Sequence, residues 1–386
     1  MSDRPYDVGV VGAGVFGAWT AYELGRAGKR VVLLDANGPG NSLSSSGDES
    51  RIIRAGYGGD EIYTQSALRA LQIWKEFSAR CDETLFHETG VLWLAHEKDP
   101  YALTTSETFH DLGIPFQQLT TSELSRRYPQ IGLDRIAWAM LELDGGVLCA
   151  RRAVQAVVRE AMKMGVEYLP EAVAAPIRET RARLHHIVIA DGRRISAGAY
   201  VFACGPWLPK IFPSLLADRI QPTRQEVFYF EPPAAGSSFS SPALPTWIDF
   251  KDEAYGLPAL DGRGVKVAID RHGPAFDPDS GDRAVSDEGL EEVRRYLAVR
   301  LPDLKDAPVI EARVCQYENT SNGDFLIDRH PEFDNVWLVG GGSGHGFKHG
   351  PVVGEYVAAR IKGSQPEVEQ RFSLATKERE HQRVVY

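Results

Sequence analysis

The sequence predicts an α/β fold that carries an inserted α+β domain built on an antiparallel sheet, and three patterns support this. Residues 7–34 read strand, glycine turn, helix and strand, and residues 335–351 repeat the strand–glycine–helix order. Between them, residues 225–270 contain short apolar runs broken by Pro and Gly. Alternating strands and helices indicate a parallel sheet, whereas short runs with turn signals indicate antiparallel strands. Both ends of the chain are therefore expected to form one Rossmann-type, nucleotide-binding domain.

The first predicted unit is a βαβ motif. Asp7 to Val11 is a short apolar run that predicts the first strand. Apolar side chains at helical spacing predict a helix from about Val15 to Ala27, and Gly28 ends it. The apolar run from Arg30 to Leu34 predicts the second strand. Two strands joined by a helix in this way are the start of a nucleotide-binding sheet.

The same periodicities assign the later elements and the domain limits. Helices are expected over 151–165, over 286–300 and from Pro351 onward, and strands over 186–190, 200–203 and 335–339. The predicted units are a nucleotide-binding domain of residues 1–82, 148–218 and 316–365, a substrate domain of residues 83–147 and 219–315, and a C-terminal tail of residues 366–386.

The composition is ordinary for a soluble globular protein and disfavours nucleic-acid and membrane partners. The 386 residues carry a formal charge of -10, which argues against a nucleic-acid partner because such a partner requires a basic face. The chain has no run of 18 apolar residues, and its first residues lack the layout of a secretory signal. Its last three residues are not a peroxisomal import tripeptide. We expect a cytoplasmic protein with no membrane partner.

The four cysteines are scattered along the chain. They are Cys81, Cys149, Cys204 and Cys315. None belongs to a Cys-x-x-Cys pair, so no metal site is expected. Four thiols in a chain of this length do not form a disulfide framework, which favours a reducing compartment.

A glycine motif directly follows the first predicted strand. Gly12, Gly14 and Gly17 have the spacing Gly-x-Gly-x-x-Gly. The first glycine allows a tight turn, the second lets the backbone approach a pyrophosphate, and the third lets helix and strand pack closely. The N–H groups at the start of the helix attract phosphate oxygens. Asp35 ends the second strand, where an acid accepts hydrogen bonds from ribose hydroxyls.

The glycine motif alone does not choose between FAD and NAD. Its place near the start of the chain, with a second glycine-rich segment near the other end, favours FAD because such a layout surrounds an extended cofactor from both sides. The apolar run that ends in Cys204, Gly205, Pro206 and Trp207 has the pattern of a buried strand meeting a cofactor loop.

Three further segments resemble those of one flavoprotein family. They are residues 46–54, residues 255–258 with 264–266, and residues 315–317 with 325–328 and 342–348. In order and spacing, and together with the glycine motif, they resemble the monomeric sarcosine oxidase family from about residue 5 to residue 360. That resemblance implies an FAD enzyme that oxidises a small amine.

The resemblance implies a covalent link between Cys315 and FAD through the flavin 8α-methyl group. A thiolate can add to that electrophilic carbon. The alternative is a structural role, since a free cysteine often behaves as a small buried apolar side chain.

The resemblance also implies that Arg54 and Lys348 bind the substrate carboxylate and that Arg51 lies against the flavin ring. Arg offers a bidentate fork, and Lys adds a compact charge. From the residues alone, Arg51 and Arg54 could instead pair locally with Asp48 and Glu49. This segment departs from the family pattern by one extra residue, and a serine stands where the family has a histidine.

Two more positions match active-site residues of the family. Lys266 matches the lysine that activates oxygen, because a fixed cation beside nascent superoxide lowers the barrier to its formation. Tyr255 matches a tyrosine beside the substrate. The alternatives are a surface lysine on a strand and a half-buried strand aromatic.

Asp270 is the main departure from the family pattern, since the sarcosine oxidases carry a histidine at this position. A carboxylate would favour a substrate with a second positive or hydrogen-donating group. It could also pair with Arg271 and be structural. Cyclic imino acids, longer N-alkyl amino acids and glycated amino acids all remain open as substrates.

The motifs and the resemblance together predict the residues that contact FAD. They are Gly12, Gly14, Val15, Phe16, Gly17, Asp35, Ala36, Ser50, Arg51, Val173, Cys204, Gly205, Trp207, Cys315, Gly342, Gly344, His345, Gly346 and Lys348. The helix that begins at Pro351 is expected to direct its N-terminus at the flavin pyrimidine ring, where its dipole would stabilise negative charge.

We predict an FAD-dependent oxidase of small secondary amines or imino acids that carry a carboxylate. Hydride would pass from the carbon next to nitrogen to flavin N5, and O₂ would then become H₂O₂. The alternatives are an amine dehydrogenase with another electron acceptor and a fructosyl amino acid oxidase. An enzyme of modified nucleic-acid bases is disfavoured by the charge, and a protein that uses FAD only for structure would leave Arg54, Lys266 and Lys348 unexplained. The protein is expected to be a monomer.

Overall fold

The fold is described from a computed structural model, which covers residues 5–175, 182–233, 237–364 and 369–379. Its strands are β1 Tyr6–Val11, β2 Val31–Leu34, β3 Arg51–Ile53, β4 Phe86–His87, β5 Val91–Ala95, β6 Phe116–Thr120, β7 Trp138–Glu142, β8 Gly146–Leu148, β9 Glu167–Leu169, β10 Ile187–Val188, β11 Arg194–Ile195, β12 Ala197–Phe202, β13 Ile220–Phe230, β14 Thr246–Asp249, β15 Ala254–Leu257, β16 Val265–Ile269, β17 Val309–Thr320, β18 Leu326–Arg329 and β19 Val336–Gly340. The α-helices are α1 Val15–Arg26, α2 Glu61–Arg80, α3 Pro100–Asp111, α4 Thr121–Arg127, α5 Ala150–Lys163, α6 Leu208–Ile211, α7 Pro213–Leu216, α8 Asp287–Arg300 and α9 Gly350–Ile361.

A six-stranded sheet joins the two ends of the chain, in the order β18-β19-β12-β1-β2-β9. All its neighbouring pairs are parallel except β18 with β19. Helix α1 lies beside this sheet and packs against both α5 and α9. The contact with α9 is close because Gly354 lies directly against Trp19, where a side chain would overlap the backbone of α1. The predicted Rossmann-type fold class is therefore confirmed.

An eight-stranded sheet forms the second layer, in the order β17-β13-β16-β15-β14-β5-β7-β6. It is antiparallel apart from the parallel pair of β14 and β5. That pair joins the two separated stretches of chain that build this sheet, and a crossover between distant segments permits parallel pairing. Two small sheets, β3-β8-β4 and β10-β11, complete the strands of the described chain.

The predicted elements lie within a few residues of their observed limits, as is normal for helix ends. The predicted domain limits stay a prediction, because sheet membership alone does not fix them. Residues 366–368 and 380–386 of the predicted tail lie outside the described residues. Within the tail, Arg371 pairs with Asp60 and Asp324 at 2.6 and 2.7 Å, which fixes it against the body of the protein.

Within the described ranges, the helices are all too short or too polar to cross a lipid bilayer.

Candidate active site

A large cavity of about 540 Å³ opens at the carboxyl ends of the parallel strands. Its wall is formed where β1, β2, β12 and β19 end, and β17 closes one side. Ligands of open α/β sheets bind at this edge, because the loops and helix N-termini meet there. The predicted residues on its wall are Gly12, Gly14, Val15, Phe16, Asp35, Ala36, Arg51, Val173, Cys204, Gly205, Trp207, Gly342, Gly344 and Gly346.

The glycine turn has the geometry that its spacing predicts. Gly12 has φ 101°, a left-handed conformation that favours glycine, and a side chain there would overlap the carbonyl of Ala203. Gly17 does not line the cavity, because it lies against the carbonyl of Gly12 and lets α1 approach the strand. Gly14 begins α1, which has no acidic residue in its first turn. The Ser46 hydroxyl accepts the Val15 N–H at 3.1 Å.

Asp35 stands at the end of β2, on the wall of the large cavity. Its carboxylate accepts N–H groups of Ala13 at 2.7 Å and of Asn37 and Gly38 at 2.9 Å. Burial raises the pKa of Asp35, although these hydrogen bonds oppose the rise. Oδ1 accepts two of these N–H groups, whereas Oδ2 accepts only that of Ala13 and keeps a lone pair, so Asp35 can still accept a ribose hydroxyl.

Glu318 on β17 is a buried acid of the large cavity that the sequence reasoning missed. Its Oε2 has no hydrogen-bond partner among the described residues. Burial raises the pKa of Glu318 to about 7, and the amides of Gly342 and Gly341 only partly oppose this. A buried polar atom without a partner is costly and commonly belongs to a ligand site. Glu318 carried no signal in the sequence, since a strand offers no spacing that marks one acid as inward-facing and unpaired.

The residues of the large cavity fit FAD. The glycine turn and the N-terminus of α1 suit a pyrophosphate, Asp35 suits a ribose, and Glu318 offers an unused oxygen to a hydroxyl. The sequence reasoning also missed Ser44 and Ser45 on this wall. Their signal was available, because a run of small polar residues directly precedes the Arg51 segment.

A small cavity of about 90 Å³ adjoins the large one. The two share Arg51, Tyr317, Gly344 and Phe347, so a ligand in the small cavity would meet one end of a ligand in the large cavity. The predicted residues on the wall of the small cavity are Arg51, Arg54, Tyr255, Lys266, Asp270, Cys315, Gly344, His345 and Lys348. Ser50 lines neither cavity and lies on a minor one behind Lys266.

Strand pleating explains why side chains distant in sequence meet in the small cavity. Residues two apart on a strand lie on one face of the sheet. Lys266 in β16 and Asp270, which directly follows β16, therefore lie on the same face. In the neighbouring strand β15, Tyr255 pairs with Ala268, which lies between them on that face. On β17, Cys315 and Tyr317 likewise share a face. The eight-stranded sheet therefore presents these side chains together.

Arg54 and Lys348 are buried cations on the wall of the small cavity, 6% and 4% exposed. The Arg54 guanidinium lies 4.5 Å from the Tyr57 ring centroid and 5.0 Å from that of Trp93. Burial and the Arg54 charge lower the pKa of Lys348 well below its usual range. No carboxylate of the described residues forms an ion pair with either cation, and the pairing of Arg54 with Asp48 or Glu49 is excluded.

Lys348 belongs to a buried hydrogen-bond chain. Its ammonium donates to the Tyr57 hydroxyl and to the His345 carbonyl, both at 3.0 Å. The Tyr57 hydroxyl lies 2.7 Å from His349 Nε2, and His349 Nδ1 lies 2.9 Å from the Ser66 hydroxyl. Burial and the Lys348 charge lower the pKa of His349 well below its usual range. The chain fixes the position of Lys348, and the sequence reasoning missed Tyr57 and His349.

Lys266 is 1% exposed and forms an ion pair with Asp48. It also donates to the Ser50 carbonyl at 2.9 Å. Asp48 accepts hydrogen bonds from Arg51 at 2.6 Å and from the Tyr229 hydroxyl at 2.8 Å. Burial would raise the pKa of Asp48, but Lys266 and Arg51 outweigh it and hold the pKa well below its usual range. The cluster of two cations and one anion keeps one net positive charge.

Cys315 lies beside this cluster. Its Sγ is 3.1 Å from the Arg51 guanidinium, and the residue is 8% exposed. Arg51 therefore contacts both Asp48 and the thiol, so the predicted local pairing with Asp48 is present together with the predicted place on the cavity wall.

Asp270 follows β16 and accepts a hydrogen bond from the Tyr317 hydroxyl at 2.6 Å. Burial raises the pKa of Asp270 to about 6, although Tyr317, Arg54 and Lys348 lower it. Arg271 pairs with Glu253 and Glu292 instead, so the structural alternative in which Asp270 pairs with Arg271 is wrong. Successive side chains point to opposite sides of the strand, and that of Asp270 lies on the wall of the small cavity.

Comparison with known proteins agrees with this arrangement. The sequence pattern of the FAD dependent oxidoreductase family matches residues 7–360. The chain is 32% identical to a human peroxisomal sarcosine oxidase, covering 91% of this chain and 90% of that protein. It is 30% identical to a monomeric sarcosine oxidase of Arthrobacter sp., covering 91% of each.

The fold is also found among solved structures. The crystal structure of an L-proline dehydrogenase from P. horikoshii superposes on this chain with a TM-score of 0.84 at 22% identity. The match covers 96% of this chain and 97% of the dehydrogenase chain. At this identity the likeness shows the fold, and the sequence matches carry the assignment. The chain belongs to the FAD dependent oxidoreductase family, among the relatives of the sarcosine oxidases.

Proposed function

We propose that this chain is an FAD-dependent oxidase of small secondary amines that carry a carboxylate, such as N-methyl or cyclic amino acids. The observation that carries the proposal is the convergence of Arg54 and Lys348 on a small cavity that opens onto the large one, where both cations are buried and form no ion pair with a described carboxylate. The relatives named sarcosine oxidase support oxidation of a secondary amine.

In this proposal Arg54 and Lys348 bind the substrate carboxylate. An anion between them offsets the repulsion of the two cations and opposes the lowering of the Lys348 pKa. Tyr57 and Trp93 hold the guanidinium in place, so that little side-chain freedom is lost on binding. Tyr255 also lines this cavity and limits the space left for the amine end of the substrate. The volume of about 90 Å³ suits a small amino acid.

FAD would be held by the glycine turn, α1, Asp35 and the loop that carries Gly342, Gly344 and Gly346, and it supplies the hydride acceptor for amine oxidation. We propose Cys315 as the point of covalent attachment. Its Sγ lies on the wall of the small cavity, where that cavity adjoins the large one, 3.1 Å from the Arg51 guanidinium.

Oxygen is the proposed electron acceptor, with Lys266 as the cation that favours its reduction. Electron transfer to another acceptor is the second candidate, and one observation favours it: the Lys266 ammonium is already paired with Asp48. The net positive charge of the Asp48, Lys266 and Arg51 cluster keeps the oxidase as the first candidate.

We also propose the two-domain division predicted above, a monomer and a cytoplasmic location. The four cysteines are free in the described chain, which suits a reducing compartment. Size-exclusion chromatography with light scattering tests the monomer, which a particle of twice the chain mass of 42.6 kDa would contradict.

One experiment tests the proposed function. The purified protein is precipitated with acid, the pellet is inspected for yellow colour, and peroxide and oxygen are followed with N-methyl and cyclic amino acids. A yellow pellet with peroxide from one of them is the expected result. A colourless pellet would contradict the link through Cys315. Reduction of the flavin without oxygen uptake would identify the dehydrogenase.

A further inference from the structure

The wall of the small cavity contains one acid that forms no ion pair with another described residue. Three acids contribute to its wall: Asp249 pairs with Arg300 at 2.8 Å, and Glu253 pairs with Arg271 at 2.9 Å. Asp270 has no ion pair with any described residue.

The remaining hydrogen-bonding capacity of Asp270 is open to a ligand. Its Oδ1 accepts the Tyr317 hydroxyl, and no donor of the described chain reaches Oδ2. The carboxylate is partly accessible, and the cavity is the space that it faces. A carboxylate oxygen that faces a small cavity without a donor is poorly solvated, so a ligand that supplies an N–H gains a charge-assisted hydrogen bond.

The charges of the small cavity complement a zwitterion. Arg54 and Lys348 offer two cations to a carboxylate, and Asp270 offers one anion at the same cavity. Arg54 and Lys348 lie near enough to Asp270 to lower its pKa, yet neither of them forms an ion pair with it. An α-amino or imino acid carries its two charges about one carbon apart, which matches opposite charges that are close and unpaired.

We propose that Asp270 accepts a hydrogen bond from the substrate nitrogen, so that the site selects acids whose nitrogen bears a hydrogen over acids of the same shape without one. This inference rests on the proposed amine oxidation and specifies its substrate class, namely small zwitterionic amino acids. Asp270 acts here in binding and specificity, and Tyr317 positions it by holding Oδ1.

Two planar acids of nearly equal shape provide the test. Pyrrole-2-carboxylate presents an N–H beside its carboxylate, whereas furan-2-carboxylate presents an oxygen lone pair. Their dissociation constants for the FAD-loaded protein are measured from the change in the flavin absorbance spectrum. We expect the pyrrole acid to bind more tightly by about 10-fold or more, the size of one hydrogen bond to a charged group.

Two variants assign that preference to Asp270. In Asp270→Asn the amide oxygen can keep the Tyr317 hydrogen bond, which leaves the NH₂ group towards the cavity, so the ratio of the two dissociation constants should fall to about one or invert. Glu253→Gln removes a wall acid that is already paired with Arg271, and the wild-type ratio should be kept. FAD content and the absorbance spectrum confirm that both variants are folded.

The outcomes separate the role of Asp270 from the proposed function. Equal binding of the two acids to the wild-type protein, or an unchanged preference in Asp270→Asn, overturns the role of Asp270 even if a secondary amine still reduces the flavin. If neither acid binds and no secondary amino acid reduces the flavin, the proposed function fails and this inference fails with it.

Discussion

The large and the small cavity are built from different parts of the chain. The large cavity is shaped by backbone, through the turn at Gly12, the N-terminus of α1 and the glycines after β19. The small cavity is shaped by side chains from strands of the other sheet and by the buried cations Arg54 and Lys348. Backbone sites tolerate few substitutions because steric overlap cannot relax, whereas a side-chain site can change its ligand by one replacement. Asp270 is an example of such a change, since an acid stands there in place of the histidine of the sarcosine oxidases. At Gly17, by contrast, any side chain would overlap the carbonyl of Gly12.

The largest expected effect is on the backbone site. Gly17→Ala places a Cβ against the Gly12 carbonyl, so we expect a loss of about 3 kcal/mol in unfolding free energy and loss of bound FAD. Gly14→Ala is the matched control, because the nearest atom to its Cβ is Ser46 Oγ at 3.5 Å. That variant should fold normally and bind FAD more weakly. Thermal unfolding and FAD content measure both, and equal stability of the two variants would break the comparison.

The next effect concerns the carboxylate-binding cations. Lys348→Met removes a buried charge that faces the substrate carboxylate, and kcat/KM for a secondary amino acid should fall by about 100-fold or more. Lys348→Arg keeps the charge and should retain more activity. FAD content should stay near the wild-type value in both, because the large cavity is unchanged. Anaerobic flavin reduction measured by stopped flow at several substrate concentrations provides the check.

Lys266 should separate the two half-reactions. In Lys266→Met, reoxidation by O₂ should slow by about 100-fold, the scale of losing one electrostatic stabiliser, while anaerobic reduction by the amine changes far less. The variant Asp48→Asn tests the same role of Lys266 by removing its ion-pair partner. Burial and Arg51 already lower the pKa of Lys266, and removal of Asp48 lowers it further, so reoxidation should slow in this variant too. Equal slowing of both half-reactions would refute the assignment.

The smallest effect is a pH dependence of ligand choice. Asp270 has a pKa raised to about 6, so its carboxylate is charged above that pH and becomes protonated below it. The preference for pyrrole-2-carboxylate over furan-2-carboxylate should therefore be full at pH 8 and decline as the pH falls through about 6. The pKa of Lys348 is also lowered, but any change in its charge acts on both acids equally and cancels in their ratio. A preference that is constant from pH 8 to pH 5, or that persists in Asp270→Asn, contradicts this.

The sequence by itself determined the fold class and the presence of a dinucleotide site. Spacing carries this information, because Gly12, Gly14 and Gly17 are dictated by a turn, a close approach and a packed helix that are all local in the chain. Strand and helix periodicities are also local, so the elements were predicted to within a few residues. The resemblance to a known family then indicated which cations and which cysteine to examine.

The tertiary structure decided which side chains face one another. Glu318, Tyr57 and His349 were not found from the sequence, because their environment depends on strands and helices that are distant along the chain. Asp270 was noticed as a departure, but only the structure separated it from Arg271 and joined it to Tyr317. Burial and pairing are properties of long-range packing, and they fix the charge of each group. The chemistry of the small cavity therefore follows from the fold, and the site for FAD follows from the chain itself.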